Sequence, residues 1–195
     1  MRTASITRKT NETDIALTLN LDGAGKTDIA TGIGFLDHML TLFARHGRFD
    51  LTIACTGDTN VDDHHSVEDI AIVLGSALAD ALGSKAGITR YGSFLLPMDE
   101  ALVLCALDIS GRATLRYGLE PPSQKVGTFD TELAEEFFMG FTRSAGVTLH
   151  LRQLDGTNSH HILEAAFKGF GRALAQAVAI DPTLNGAIPS TKGVL

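Results

Sequence analysis

Two short blocks of this sequence repeat one ligand-rich pattern: His64-His65 is followed by Glu68, and His160-His161 by Glu164. If each block opens a helix, residues four apart share a face while adjacent residues diverge by about 100°. His64 and Glu68 then converge on one ion, as do His160 and Glu164. His65 and His161 point elsewhere, toward a second ion or a neighbouring subunit. Aligning residues 36–45 with 134–143 sets His38 opposite Glu136, which brings the donors to eight nitrogen and oxygen ligands. No thiolate is among them, so the set suits two metal ions of intermediate hardness and not a structural cysteine–zinc knot. Ligand type alone admits zinc, iron or cobalt as well as manganese.

The blocks also differ. His160, Glu164, Lys168 and Arg172 form an i, i+4 ladder, whereas the first block has His64, Glu68, Ile72 and Ser76 at those positions. Only one block carries cations, which predicts an asymmetric site with an anion near Lys168. The spacing equally allows a Glu164–Lys168 surface pair worth a few tenths of a kcal/mol. Arg90, Arg112 and, in the tail segment PSTKG, Ser190 and Lys192 are further candidates for phosphate oxygens. Taken singly, each reads as an exposed charge.

The elements that must position these groups follow from self-similarity. Residues 64–82 align with 160–178 without a gap, identical at eight of nineteen positions, and the upstream stretches align with a two-residue change of offset. Two copies of one unit in tandem result. Apolar alternation predicts strands over 2–9, 12–21 and 26–31, with a turn at 22–25. A helix over 34–46, a strand over 49–56 and a helix over 64–82 complete the first copy. The second has strands over 93–98, 101–109 and 112–119, a helix over 130–145, a strand over 147–154 and a helix over 160–179. The expected fold is α+β, a β-β-β-α-β-α unit repeated, with helices covering one face of each sheet. We expect one domain over 1–195, built from pseudo-repeats of about 1–88 and 89–180 with a tail at 181–195. His46 closes the first helix, where a cation meets the helix dipole favourably. His150 alternates within a strand and reads as structural.

Composition narrows the function classes. The 195 residues are 44% hydrophobic and 20% charged, as in an ordinary globular protein, and the net charge of −7 argues against general nucleic-acid binding. No apolar run approaches the roughly 18 residues of a membrane span, and no secretory signal is visible. Cys55 and Cys105 lie in apolar strand-like runs and read as buried free thiols of a cytoplasmic protein.

The segments GIGFLDHML (32–40), DDHHSVEDIAIVLG (62–75), SHHILEAAFKGFGRAL (159–174) and IPSTKG (188–193) resemble the imidazoleglycerol-phosphate dehydratase family of histidine biosynthesis, over essentially the whole chain. The resemblance implies two manganese ions per active site, bound through His38, His64, His65, Glu68, His160, His161 and Glu164. An eighth ligand falls at Glu136, where many members carry His. It implies substrate contacts at Glu12, His46, Arg90, Arg112, Lys168, Ser190 and Lys192. It further implies the fold of the second domain of ribosomal protein S5, duplicated, with helices sandwiched between two four-stranded sheets. The expected assembly is a hollow 24-subunit shell with active sites shared between chains.

The implied reaction removes water from D-erythro-imidazole glycerol phosphate to give imidazole acetol phosphate. The hydrogen lost is not beside a carbonyl, so no enolate can carry the charge and the ring must relay electrons. Two metals holding it as an imidazolate would help to expel the hydroxyl. Glu12 becomes the acid/base candidate on its family position; its own context reads only as an exposed strand-end charge. Two rivals share the ligand types. A di-metal carboxylate oxidase uses Glu-x-x-His on a four-helix bundle, the reverse order here. A metal-storage shell would have no use for the cations.

Overall fold

The computed structural model describes residues 2–195. The first copy runs β1 (Thr3–Lys9), β2 (Thr13–Asn20), β3 (Thr27–Ala30), α1 (Gly34–Gly47), β4 (Asp50–Gly57) and α2 (His64–Leu82). The second runs β5 (Tyr91–Met98), β6 (Ala101–Asp108), β7 (Thr114–Gly118), β8 (Lys125–Val126), β9 (Phe129–Asp130), α3 (Leu133–Ala145), β10 (Thr148–Asp155) and α4 (Ser159–Val178). Each copy makes its own four-stranded mixed sheet, β1-β2-β4-β3 and β5-β6-β10-β7. In both, the parallel pair is bridged by a helix, α1 between β3 and β4 and α3 between β7 and β10.

Strand alternation gives each sheet one apolar face. Ile15, Leu17 and Leu19 are buried on β2, and Val103, Cys105 and Leu107 on β6. Those faces meet the helices: α2 packs on β1 and β2, and α4 on β5 and β6. The helices pair across the copies, α1 with α4 and α2 with α3. Phe43, Phe138, Phe141 and Phe170 fill the middle, with Phe141 edge-on to Phe170 and Phe43 stacked on it.

The crossings explain one identity between the copies. A methyl group at Gly75 of α2 would lie 2.6 Å from the Phe141 carbonyl oxygen of α3. One at Gly171 of α4 would be closer still to the Phe43 carbonyl oxygen of α1. Only glycine lets these backbones touch, and that contact sets each HHxxE helix beside its partner helix.

The fold expected from the sequence is the one observed, with three local differences. α3 begins at Leu133 and not at 130, because 125–130 forms the small β8–β9 hairpin around Gly127 (φ +63°). Strand β5 begins two residues early, at Tyr91, directly after Arg90 in a left-handed conformation (φ +75°). The tail carries a single 3-10 turn, Pro182–Leu184. Both cysteines are free and lie on strands; Cys105 is buried, and desolvation pushes its thiol up to about 12, while Cys55 is half-buried. No helix among the described residues is long and apolar enough to cross a membrane.

Candidate metal centre and active site

The start of α4 is built to present histidines. Asn158 caps the helix, its side chain accepting from His160 N (2.9 Å) and His161 N (3.3 Å). His160 Nε2 then lies 3.0 Å from Glu164 Oε2, one turn on. The α1–α4 crossing brings His38 Nε2 to 3.6 Å from the same oxygen. Ligand atoms of His38, His160 and Glu164 all fall within 4.8 Å of one another, and among the described residues this is the group that could hold an ion. Two imidazole nitrogens and a carboxylate converging on one point fit a divalent cation of intermediate hardness.

Glu164 is buried, with Lys168 as its ion-pair partner one further turn along α4. Burial works to raise its pKa, but the Lys168 ammonium and His160 hold it below the usual carboxylate value, so it is an anion ready to ligate. The Glu164–Lys168 pair is therefore no surface pair: its side chains are 9% and 16% exposed.

The corresponding groups of the first copy are more open. His64 Nε2 and Glu68 Oε2 stand 3.9 Å apart, and Glu68 is 39% exposed. On α3, a methyl at Gly140 would be 3.1 Å from the Glu68 carbonyl oxygen, so Glu136, one turn earlier, sits beside this block as His38 sits beside the other. Glu136 is half-buried, and the trio does not close to the spacing of its counterpart.

His65 and His161 diverge from their blocks as adjacent helical residues must. Each meets a carboxylate at Nδ1: Asp58 at 3.0 Å for His65, Glu100 at 2.6 Å for His161. Those hydrogen bonds push both histidines up, and His161 drives Glu100 down to about 2. On the other ring edge, His65 Nε2 lies 3.8 Å from Glu12 Oε1 and His161 Nε2 lies 3.7 Å from Asp99 Oδ2.

Glu12 stands at the β1–β2 turn with its carboxylate half exposed. Its amide donates to Thr10 Oγ1 (3.1 Å) and its carbonyl accepts from Asp58 N (3.0 Å). The hairpin is anchored to α2 by buried Asp69, which accepts from Thr13 Oγ1 (2.5 Å) and pairs with Arg8. The position equivalent to Asp69 in the second copy is Ala165.

The cations form two groups. Asp108 grips Arg90 through Nε (2.7 Å) and Nη2 (3.1 Å), while Arg90 Nη1 donates to the Pro189 carbonyl (2.9 Å). Arg112 Nη2 lies 3.9 Å from the same carboxylate and is largely exposed. Leu195 packs on Gly111, so the tail bearing Ser190 and Lys192 runs across this corner. Lys168 belongs elsewhere, with Nζ 3.6 Å from Met98 Sδ and with His46 and Arg172 nearby. The Arg90 amide bonds to the Ala177 carbonyl, nine residues along α4 from Lys168, or about 13 Å by helical rise. Burial and then the charges of Lys168 and Arg172 lower the pKa of His46, so it is a neutral imidazole and not the dipole-facing cation its helix-end position predicts. His150 is exposed on β10 and meets none of these groups.

Asp58, Asp69, Asp99, Glu100 and Asp108 escaped the sequence reading. One signal was available: Glu100 directly precedes β6, as Glu12 directly precedes β2.

The sequence profile of the imidazoleglycerol-phosphate dehydratase family matches residues 31–174. The dehydratase of Jannaschia sp. (strain CCS1) is 59% identical over 195 residues, and that of Oceanobacillus iheyensis 60%, each covering all of both chains. The Staphylococcus aureus dehydratase structure superposes with a TM-score of 0.84 at 41% identity, over 92% of this chain and 99% of that one. The Pyrococcus furiosus enzyme gives a TM-score of 0.84 at 40% identity, over 97% and 100%. With its duplicated sheets, its converging His and Glu side chains and this full-length similarity, the chain belongs to the imidazoleglycerol-phosphate dehydratase family.

Proposed function

We propose that this chain removes water from D-erythro-imidazole glycerol phosphate to give imidazole acetol phosphate in histidine biosynthesis, as a manganese-dependent hydro-lyase of the cytoplasm. The observation that carries the reading is the convergence of His38, His160 and Glu164 in a member of this family. These three would hold one ion, and His64, Glu68 and Glu136 would hold the second. Such ions, when bound, supply Lewis acidity to the ring nitrogens and stabilise the charge that the imidazole accepts.

The chain's own residues do the rest. The hydroxyl on the carbon beside the ring and the hydrogen of the next carbon leave together as water. The resulting enol then shifts its proton to the carbon beside the ring. Glu12, half exposed and set on a braced turn, handles the proton at these carbons. Lys168 and neutral His46 on one side, and Arg90, Arg112, Ser190 and Lys192 on the other, take the phosphate oxygens. Asp108 holds the Arg90 fork in place before substrate arrives. Because the two cation groups are separated along α4 within one chain, a complete site draws on neighbouring chains, with His65 and His161 ligating across the contact. We read 1–195 as one dehydratase domain within a 24-subunit shell.

The test is ketone formation from imidazoleglycerol phosphate before chelation, after it, and after manganese is restored. The reading requires turnover that is lost on chelation and recovered with manganese. Absence of turnover in metal-replete protein would overturn it.

A further inference from the structure

The two outward-facing histidines share a feature that the duplication does not account for. Both have a carboxylate at Nδ1, but the carboxylates come from different places. Asp58 follows β4, whereas Glu100 lies in the β5–β6 turn. Equivalent residues inherited from one ancestral unit would occupy equivalent positions. Each copy has instead acquired its own partner for the same ring atom.

Both partners are themselves held. Glu100 Oε1 accepts from Thr157 N (3.1 Å) and Asn158 N (2.8 Å), which leaves Oε2 for His161. The carboxylate thus ties the histidine ring to the backbone just before α4. Asp58 donates its amide to the Glu12 carbonyl (3.0 Å) while its carboxylate holds His65. His65 Nε2 in turn faces the Glu12 side chain at 3.8 Å. Glu12, Asp58 and His65 form a closed ring of contacts, so the position of a ligand and that of the acid/base are set together.

A neutral imidazole binds a metal through the nitrogen that carries no proton, and a carboxylate at the other nitrogen fixes both tautomer and ring orientation. We infer that Asp58 and Glu100 are positioning residues, holding the proton on Nδ1 of His65 and His161 so that Nε2 of each is presented to a divalent ion. The inference rests on the metal-dependent reading above. It accounts for why two residues outside the HHxxE blocks are bonded so tightly to them. An incidental surface pair would leave tautomer and metal affinity unchanged.

The experiment titrates the intact, metal-free protein with manganese chloride in a calorimeter, for wild type, Glu100→Ala, Asp58→Ala, Glu100→Gln and Asp58→Asn. Nitrogen NMR of 15N-histidine-labelled, metal-free protein reports the tautomers. The alanine variants should lose about 10- to 100-fold in manganese affinity. One histidine in each should shift from the Nδ1–H to the Nε2–H form. The amide variants, which keep an acceptor oxygen and the local shape, should lose less, in the same direction. Thermal melting of the metal-free proteins separates this effect from misfolding, and the amide variants carry the test if an alanine variant fails to fold. Wild-type affinity and unchanged tautomers in all folded variants would overturn the inference while leaving the dehydratase reading intact. A wild type that takes up no manganese would overturn both.

Discussion

The two copies share a frame and divide the work. In both, an HHxxE block opens a long helix that crosses a partner helix at a glycine, and in both the second histidine meets a carboxylate. The second copy has its trio drawn tight around buried Glu164, backed by Lys168. In the first, Glu68 is open, Ile72 replaces the lysine, and the buried charge is Asp69, which turns toward the β1–β2 hairpin and Glu12. Duplication supplied two similar arrangements of His and Glu, of which the second copy's closes to metal-binding distances. In the proposed function, divergence gives one copy the acid/base turn and the other a cation for the phosphate.

The largest contrast should appear at the paired glutamates. Glu164→Ala leaves Lys168 with no partner in a poorly solvated spot and should destabilise the metal-free protein by about 3 kcal/mol. Glu68→Ala, at an exposed site, should cost under about 1 kcal/mol. Urea melts of both check this, and equal losses would break the proposed asymmetry.

Asp69→Ala should cost about 2 kcal/mol, since Thr13 and Arg8 lose their buried acceptor. It should also lower turnover, because the Glu12 hairpin is loosened; paired urea melts and rate measurements would show it.

Gly75→Ala and Gly171→Ala test what the copies have in common. Each drives a methyl group into a facing carbonyl, and each should destabilise by about 1–2 kcal/mol, to a similar extent. A large difference between their melting curves would mean that the two crossings are not equivalent.

The smallest effect concerns pH. The pKa of His46 is lower folded than unfolded, so the unfolded chain binds the extra proton first. Its contribution is complete above the ordinary value of 6.5 and is lost as pH falls toward the folded value. His46→Gln should flatten the stability profile just below pH 6.5, as measured by melting across that range.

The parts legible in the sequence were those with short-range periodicity. Alternation located β2 and β6, and the i, i+4 spacing of His160 and Glu164, reinforced by its copy, located a metal cradle. Glu100 was not legible, because its contact to His161 spans 61 residues and depends on where the β5–β6 turn falls against α4. Asp58 is near His65 in sequence but lies in a loop after β4, where no periodicity sets which way its side chain points. Asp69 looks like one polar residue in an apolar helix until the β1–β2 hairpin is packed upon it. The β8–β9 hairpin has two-residue strands, too short to alternate. The grouping of cations is a property of packing alone: Arg90 and Pro189 meet across 99 residues.

Whether the first copy carries the proton chemistry while both copies hold metal is decided at Glu12. Glu12→Gln should retain the wild-type manganese stoichiometry and the wild-type affinity for imidazoleglycerol phosphate while losing at least about 100-fold in kcat. Near-normal turnover in that variant, with metal and substrate bound as before, would contradict the account.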